Sequence, residues 1–255
     1  MDFSPSLFGW HAPELPLGAG VAVALWLVWR CWRRTPFPGR ASFIGMQLAA
    51  VWWTSAAAVE NHVISPEAKL FWAKMAWIGI ASAPGLWAMF VWSYTQGGAR
   101  RGWFHALAVF ALVSWAVGLT NDAHHLMYLS AVPATADAGA PLVYEHGAYF
   151  YMATTAIYVQ MMASLVIVIM AVTRAPAAYR SHYLGFLAAM LIPWMANAGY
   201  LTGTLTLFGF DGTPFALIVM GCVFHWLVQR RRLFELVPVA RGLLLDVSPD
   251  PVLGA

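Results

Sequence analysis

The chain has 255 residues, of which 61% are hydrophobic and 10% charged, with a mean hydropathy of +0.66. Soluble domains carry about 25% charged residues, so the shortfall identifies lipid as the main solvent and excludes an ordinary soluble enzyme. The formal net charge of +3 gives no ground for nucleic-acid binding. The two cysteines, Cys31 and Cys222, lie in or beside apolar runs, which excludes an extracellular disulfide framework.

Each span needs about 20 apolar residues, and the apolar runs predict seven helices that use almost the whole chain. Residues 2–16 are acidic and lack a basic n-region, so no cleavable signal peptide is expected. The first span covers 15–32 and stops at Arg33, Arg34 and the turn residues Pro36, Pro38 and Gly39. The second covers 41–60. The third has an explicit start, with Ser65 as N-cap, Pro66 at the first helical position and Glu67 next. It runs to about 94, with a bend expected at Pro84-Gly85. Gly97, Gly98, Arg100 and Arg101 precede the fourth span, 103–120. A polar segment over 121–146 follows, with Pro133, Gly139 and Pro141 interrupting any helix. The fifth span is 148–172, and a loop over 174–180 leads to the sixth, 183–201. The seventh, 213–228, ends at Arg230, Arg231 and Arg232.

Every arginine falls at one end of these spans, and both lysines, Lys69 and Lys74, fall at the other. Basic residues concentrate in cytoplasmic loops. The expected fold is therefore an all-α membrane protein, a seven-transmembrane helix bundle with its N-terminus outside and its C-terminus cytoplasmic. The domain reading is a seven-transmembrane bundle over 1–229, a cytoplasmic helix over 230–248, and residues 249–255 as the start of a further domain. Within the helix, Leu233, Leu236, Val239, Ala240, Leu243, Leu244 and Val247 recur at helical spacing. That suits a helix pairing with its own copy, or one lying on the inner leaflet.

Ionisable groups inside a bilayer are costly and are functional candidates. Glu60 and Lys74 lie on either side of one helical hairpin and are expected to pair, as a clamp or as the border of a pocket. The outer segment carries His62, His124, His125 and His146, the candidate metal ligands. None shows the i, i+4 spacing of a zinc helix, so no metal is expected. Asn121 and His124 are expected to cap span four and bond to neighbouring helices. Pro193, Asn197 and Tyr200 share one face of span six. Trp52, Trp53, Trp77, Trp87, Trp115 and Trp194 lie deep enough to line an aromatic pocket, and His225 reads as a satisfied core residue. The candidate ligand site, taken from clustering at one membrane depth, is Glu60, Lys74, Trp77, Asn121, His124, Tyr144, Tyr151, Asn197 and Tyr200. Its expected occupant is a small apolar or amphiphilic molecule.

No cofactor is expected. Retinal needs a Schiff-base lysine in the last span, and 213–228 has none. Haem would need a facing partner for His225, and His105 is a poor one. A transporter is disfavoured by the lack of an internal repeat, and a metal-dependent intramembrane enzyme would need the outer histidines to converge.

Several stretches taken together resemble the N-terminal seven-transmembrane sensory region of bacterial histidine kinases and related diguanylate cyclases. They are Trp53 with Glu60, KLFWAKMAWIG from Lys69 to Gly79, TNDAHHLMY from Thr120, and Tyr144-Glu145-His146-Gly147. Tyr179-Arg180 leads into Pro193, Asn197 and Tyr200, and RRRLFELVPVAR follows from Arg230. The resemblance implies a homodimeric sensor in the bacterial inner membrane that signals through its C-terminal helix to a PAS-like domain. In such proteins that domain opens on a strand like DPVLGA, found here from Asp250. No phosphoacceptor-histidine box, nucleotide-binding glycine motif or cyclase motif occurs, so no enzymatic activity is expected of this chain alone.

Overall fold

A computed structural model describes residues 14–33, 37–98, 101–202, 204 and 211–230. Nearly all of the expected cytoplasmic helix over 230–248, and the strand expected after it, lie outside the described residues.

Seven long helices stand where the apolar runs place spans. They are α1 (Glu14–Arg33), α2 (Arg40–His62), α3 (Pro66–Gln96), α4 (Arg101–Leu119), α6 (Ala148–Arg174), α7 (Ala177–Leu201) and α8 (Thr213–Arg230). Between α4 and α6 come a single turn, α5 (Asn121–His124), and two strands, β1 (Tyr128–Pro133) and β2 (Leu142–His146). By length and composition α2, α3, α4 and α6 are able to cross a membrane, and α8 is a shorter apolar helix. The start of α3 is as expected: the Ala68 amide donates to the Ser65 hydroxyl at 3.1 Å, and Pro66 occupies the first turn. Helix α7 begins at Ala177 rather than near 183. Pro176, whose fixed φ suits a helix entrance, is its N-cap and confines the connection to Ala175 and Pro176.

Helix α3 is the centre of the bundle and packs on α2, α4, α6 and both strands. Helices α1, α2 and α8 pack on one another, and α7 bridges α6 and α8. Of the most apolar stretch of α3, 56% of the residues are buried, against 11% in α6. The flank of α6 therefore lies on the outside of the bundle. Gly79 permits a close approach of α3 to α2, because a β-carbon there would stand 2.6 Å from the Ala49 carbonyl oxygen and 2.9 Å from Trp53 Cβ.

The arginine-bearing half of the bundle is filled by aromatic rings. Phe224 of α8 meets Phe186 of α7 at 4.3 Å between centroids and Trp87 of α3 at 4.8 Å, and Tyr94 meets Phe186 at a tilt, 4.8 Å between centroids. The Tyr94 hydroxyl and His182 Nε2 are 2.8 Å apart. His225 sits 3.7 Å from the Cys31 sulfur with Trp26 edge-on, a packed core position. Cys31 is buried and Cys222 is half-buried.

The opposite end is closed by an element the sequence reading missed. The polar segment over 121–146 folds into an antiparallel hairpin, pairing Tyr128 with His146 and Pro133 with Leu142, with an irregularity between Tyr128 and Ser130. His125, the residue with positive φ (53°) after α5, reverses the chain into it. Buried Asn121 then ties the hairpin down. Its Oδ1 accepts from the Met127 and Tyr128 amides at 2.8 and 3.0 Å, and its Nδ2 donates to the Tyr128 carbonyl at 2.9 Å.

Candidate functional site

Side chains alternate across a strand, so Leu142, Tyr144 and His146 of β2 share one face, and that face turns into the bundle. Beneath it opens a cavity of about 260 Å³ walled by α2, α3, α6, α7, α8 and the hairpin. Its α3 wall runs from Lys69 to Trp87, a rise of about 27 Å at 1.5 Å per residue. The cavity is thus long and narrow. The deep part is apolar, with Ile80, Pro84, Met190, Leu217 and Met220, and Trp87 at its end. Polar groups gather under the hairpin.

Two hydrogen-bonded groups form that polar part. In the first, the Tyr144 hydroxyl donates to Glu60 Oε1 at 2.6 Å, and Lys69 Nζ donates to the Glu60 carbonyl at 2.9 Å. Beside them the Trp77 indole donates to the Tyr128 hydroxyl at 2.8 Å, with the Tyr128 and Tyr144 rings 5.1 Å apart. In the second group, the Tyr158 hydroxyl donates to Asn197 Oδ1, and Asn197 Nδ2 donates to the Thr213 hydroxyl at 3.2 Å. Thr213 in turn donates to Asp211 through its hydroxyl and, at 2.9 Å, through its amide. The His146 ring stacks on Phe150 at 3.6 Å.

Burial sets the protonation of the groups near the hairpin. It pushes the Tyr128 and Tyr144 phenols up, and the Glu60 charge adds to the effect at Tyr144. It lowers the His146 imidazole, which favours the neutral ring. Desolvation also raises the Asp211 carboxyl, and its bonds from Thr213 offset part of that.

Of the residues expected at a ligand site, Glu60, Trp77, Tyr144, Asn197 and Tyr200 line this cavity, and Pro193 joins Asn197 and Tyr200 there. Lys74, Asn121, His124 and Tyr151 do not. Lys74 pairs with Asp122 at 2.5 Å, not with Glu60. Helix α5 brings Asp122 over Lys74, while Lys69, one turn nearer the helix start, reaches Glu60. The amide of Asn121 bonds to the backbone of residues 127 and 128 through both its oxygen and its nitrogen, rather than to neighbouring helices. His124 bonds locally, to the Thr120 hydroxyl and the Leu126 amide. Tyr151 is 61% exposed on the flank of α6. Of the deep tryptophans, Trp53, Trp77 and Trp87 line the cavity, whereas the Trp52 indole bonds to the Met75 carbonyl. Trp115 and Trp194 bury indole nitrogens without a partner elsewhere in the bundle. Among the described residues, no three His, Cys, Asp or Glu side chains gather where they could hold a metal, so His62, His124, His125 and His146 do not converge.

Sequence reasoning missed Lys69, Tyr128, Tyr158, Asp211 and Thr213, all in the cavity wall. Asp211 had a usable signal. It stands just before Thr213 and Pro214, where the last apolar run begins, as acidic residues do at helix starts. Tyr128 and Tyr158 had none, because each reaches the site through the fold.

No curated protein matches the chain. A family model described as the N-terminal 7TM region of histidine kinase matches residues 16–238, from α1 through α8 and beyond. The chain thus belongs to the family of membrane-embedded, N-terminal seven-transmembrane sensory regions of histidine kinases.

Proposed function

We propose that this chain detects an apolar or amphiphilic molecule held in the cavity and passes the state of that site to an output domain through α8. In this reading all seven long helices span a bacterial inner membrane. The hairpin end faces outward, and the arginine-bearing end faces the cytoplasm. The distribution of arginines supports the orientation. One observation carries the reading: a long cavity with a polar end under the hairpin and an apolar depth between helices. That is the shape and polarity of a small-molecule site.

Transmission has a physical route. Trp87 ends the cavity and packs on Phe224, so an occupant that shifts Trp87 also biases α8. The helix expected beyond α8, paired with a second copy of the chain, would carry the bias onward. The chain's own part is recognition, and catalysis belongs to the output domain. The transporter and metal-dependent readings draw no support from the described residues.

The test is to purify the chain in lipid nanodiscs, extract bound small molecules for mass spectrometry, and compare Ala76→Trp. Ala76 lies in the cavity wall and is 5% exposed, so an indole there fills the space. The expected result is an apolar or amphiphilic molecule retained by the parent chain and absent from the filled one. Identical contents in both would refute the proposal.

A further inference from the structure

The cavity holds an uneven set of charges. Glu60 and Asp211 both line it, and among the described residues the cation in its wall is Lys69. Lys69 is buried and its ammonium is directed to the Glu60 carbonyl. Glu60 Oε1 accepts from Tyr144, and Asp211 Oδ1 accepts from Thr213. Among the described residues, no hydrogen bond reaches the other oxygen of either carboxylate. His146 adds no compensating charge, because burial favours its neutral form.

Aromatic rings surround the same space. Trp77, Tyr128, Tyr144 and Tyr200 line the same cavity as the two carboxylates. Ring faces are negative and attract desolvated cations, most strongly quaternary ammonium groups. Deeper in, Trp87 supplies apolar wall, and its buried indole N–H has no partner among the described residues.

We infer that the occupant is a monocationic amphiphile, with an ammonium head held between Glu60 and Asp211 within the aromatic rings and a single apolar tail directed toward Trp87. This rests on the cavity being the ligand site. A cation in contact with the open oxygens offsets the burial of two carboxylates served by one ammonium. An anionic head would meet them as like charges, and an uncharged head would leave burial to push the carboxyls toward their neutral forms, as it does at Asp211.

Three probes with the same ten-carbon tail separate the possibilities: decyltrimethylammonium, decanol and decyl sulfate. Each is titrated below its micelle concentration into the full chain in phosphatidylcholine nanodiscs, with empty nanodiscs subtracted. Saturable binding of the ammonium probe at least tenfold tighter than either other probe, a difference of about 1.4 kcal/mol, is the expected result. The advantage should shrink in Glu60→Gln and in Asp211→Asn. Saturable binding with no preference for the cation, abolished by Ala76→Trp, would overturn the headgroup assignment and leave the cavity reading standing. If no probe binds saturably, or Ala76→Trp binds all three unchanged, both are overturned. The comparison among probes on the parent chain decides the matter even where a carboxylate variant fails to fold.

Discussion

Replacing Asn121 by alanine tests whether the hairpin is held to the bundle as described. Asn121 is 3% exposed and serves two amides and one carbonyl of residues 127 and 128. Alanine leaves three backbone groups without their side-chain partner. A stranded buried group costs about 1–3 kcal/mol. Relaxation of the backbone around the smaller side chain offsets part of this, so a total of about 3 kcal/mol is expected rather than the full sum. The loss falls on local opening of the hairpin, since the spans keep their own hydrogen bonds. At 1.4 kcal/mol per factor of ten, amide exchange over residues 127–147 should accelerate by roughly a hundredfold. Hydrogen–deuterium exchange with mass spectrometry, in nanodiscs, reads this directly, with peptides from α2 and α6 as internal references. Unchanged protection of the hairpin in Asn121→Ala would refute the reasoning. It would also remove the basis for treating Asn121 as structural instead of as a ligand contact.

Three further outcomes are expected. Asp122→Ala strands the ammonium of Lys74, whose side chain is 7% exposed, and should destabilise by about 1 kcal/mol. Adding Lys74→Met should restore most of the loss in a double-mutant cycle. Gly79→Ala drives a β-carbon against α2 and should cost about 1–3 kcal/mol by thermal unfolding. Gly118→Ala, whose nearest neighbour would stand at 3.8 Å, should be tolerated. His146 is held neutral by burial, so its folded pKa lies below the unfolded value of about 6.5. Below that pH the unfolded chain takes up the proton first, and stability falls as pH drops until the folded group also protonates. His146→Phe keeps the stack on Phe150 and should flatten this part of a stability–pH curve. An unchanged curve would count against burial of the ring.

The helices were legible in the sequence because their causes are local. Lipid forces each apolar run to satisfy its own backbone, and Ser65-Pro66 and Gly97 mark ends of α3 through their own side chains or backbone preferences. Asn197 and Tyr200 were legible as a pair because one helix face carries both. The Lys74 partner was not. A choice between Glu60 and Asp122 depends on where α5 turns, and chain distance says nothing about that.

By itself, then, the sequence determined a membrane-embedded helical bundle, its family motifs and the polar character of one end. The tertiary structure decided which of those polar residues meet. The hairpin brings Tyr144 to Glu60 across 84 positions of chain, and α7 meets α8 so that Asn197 reaches Thr213 and, through it, Asp211. Strand register and helix packing are long-range, and they are what convert scattered tyrosines and carboxylates into the wall of one cavity.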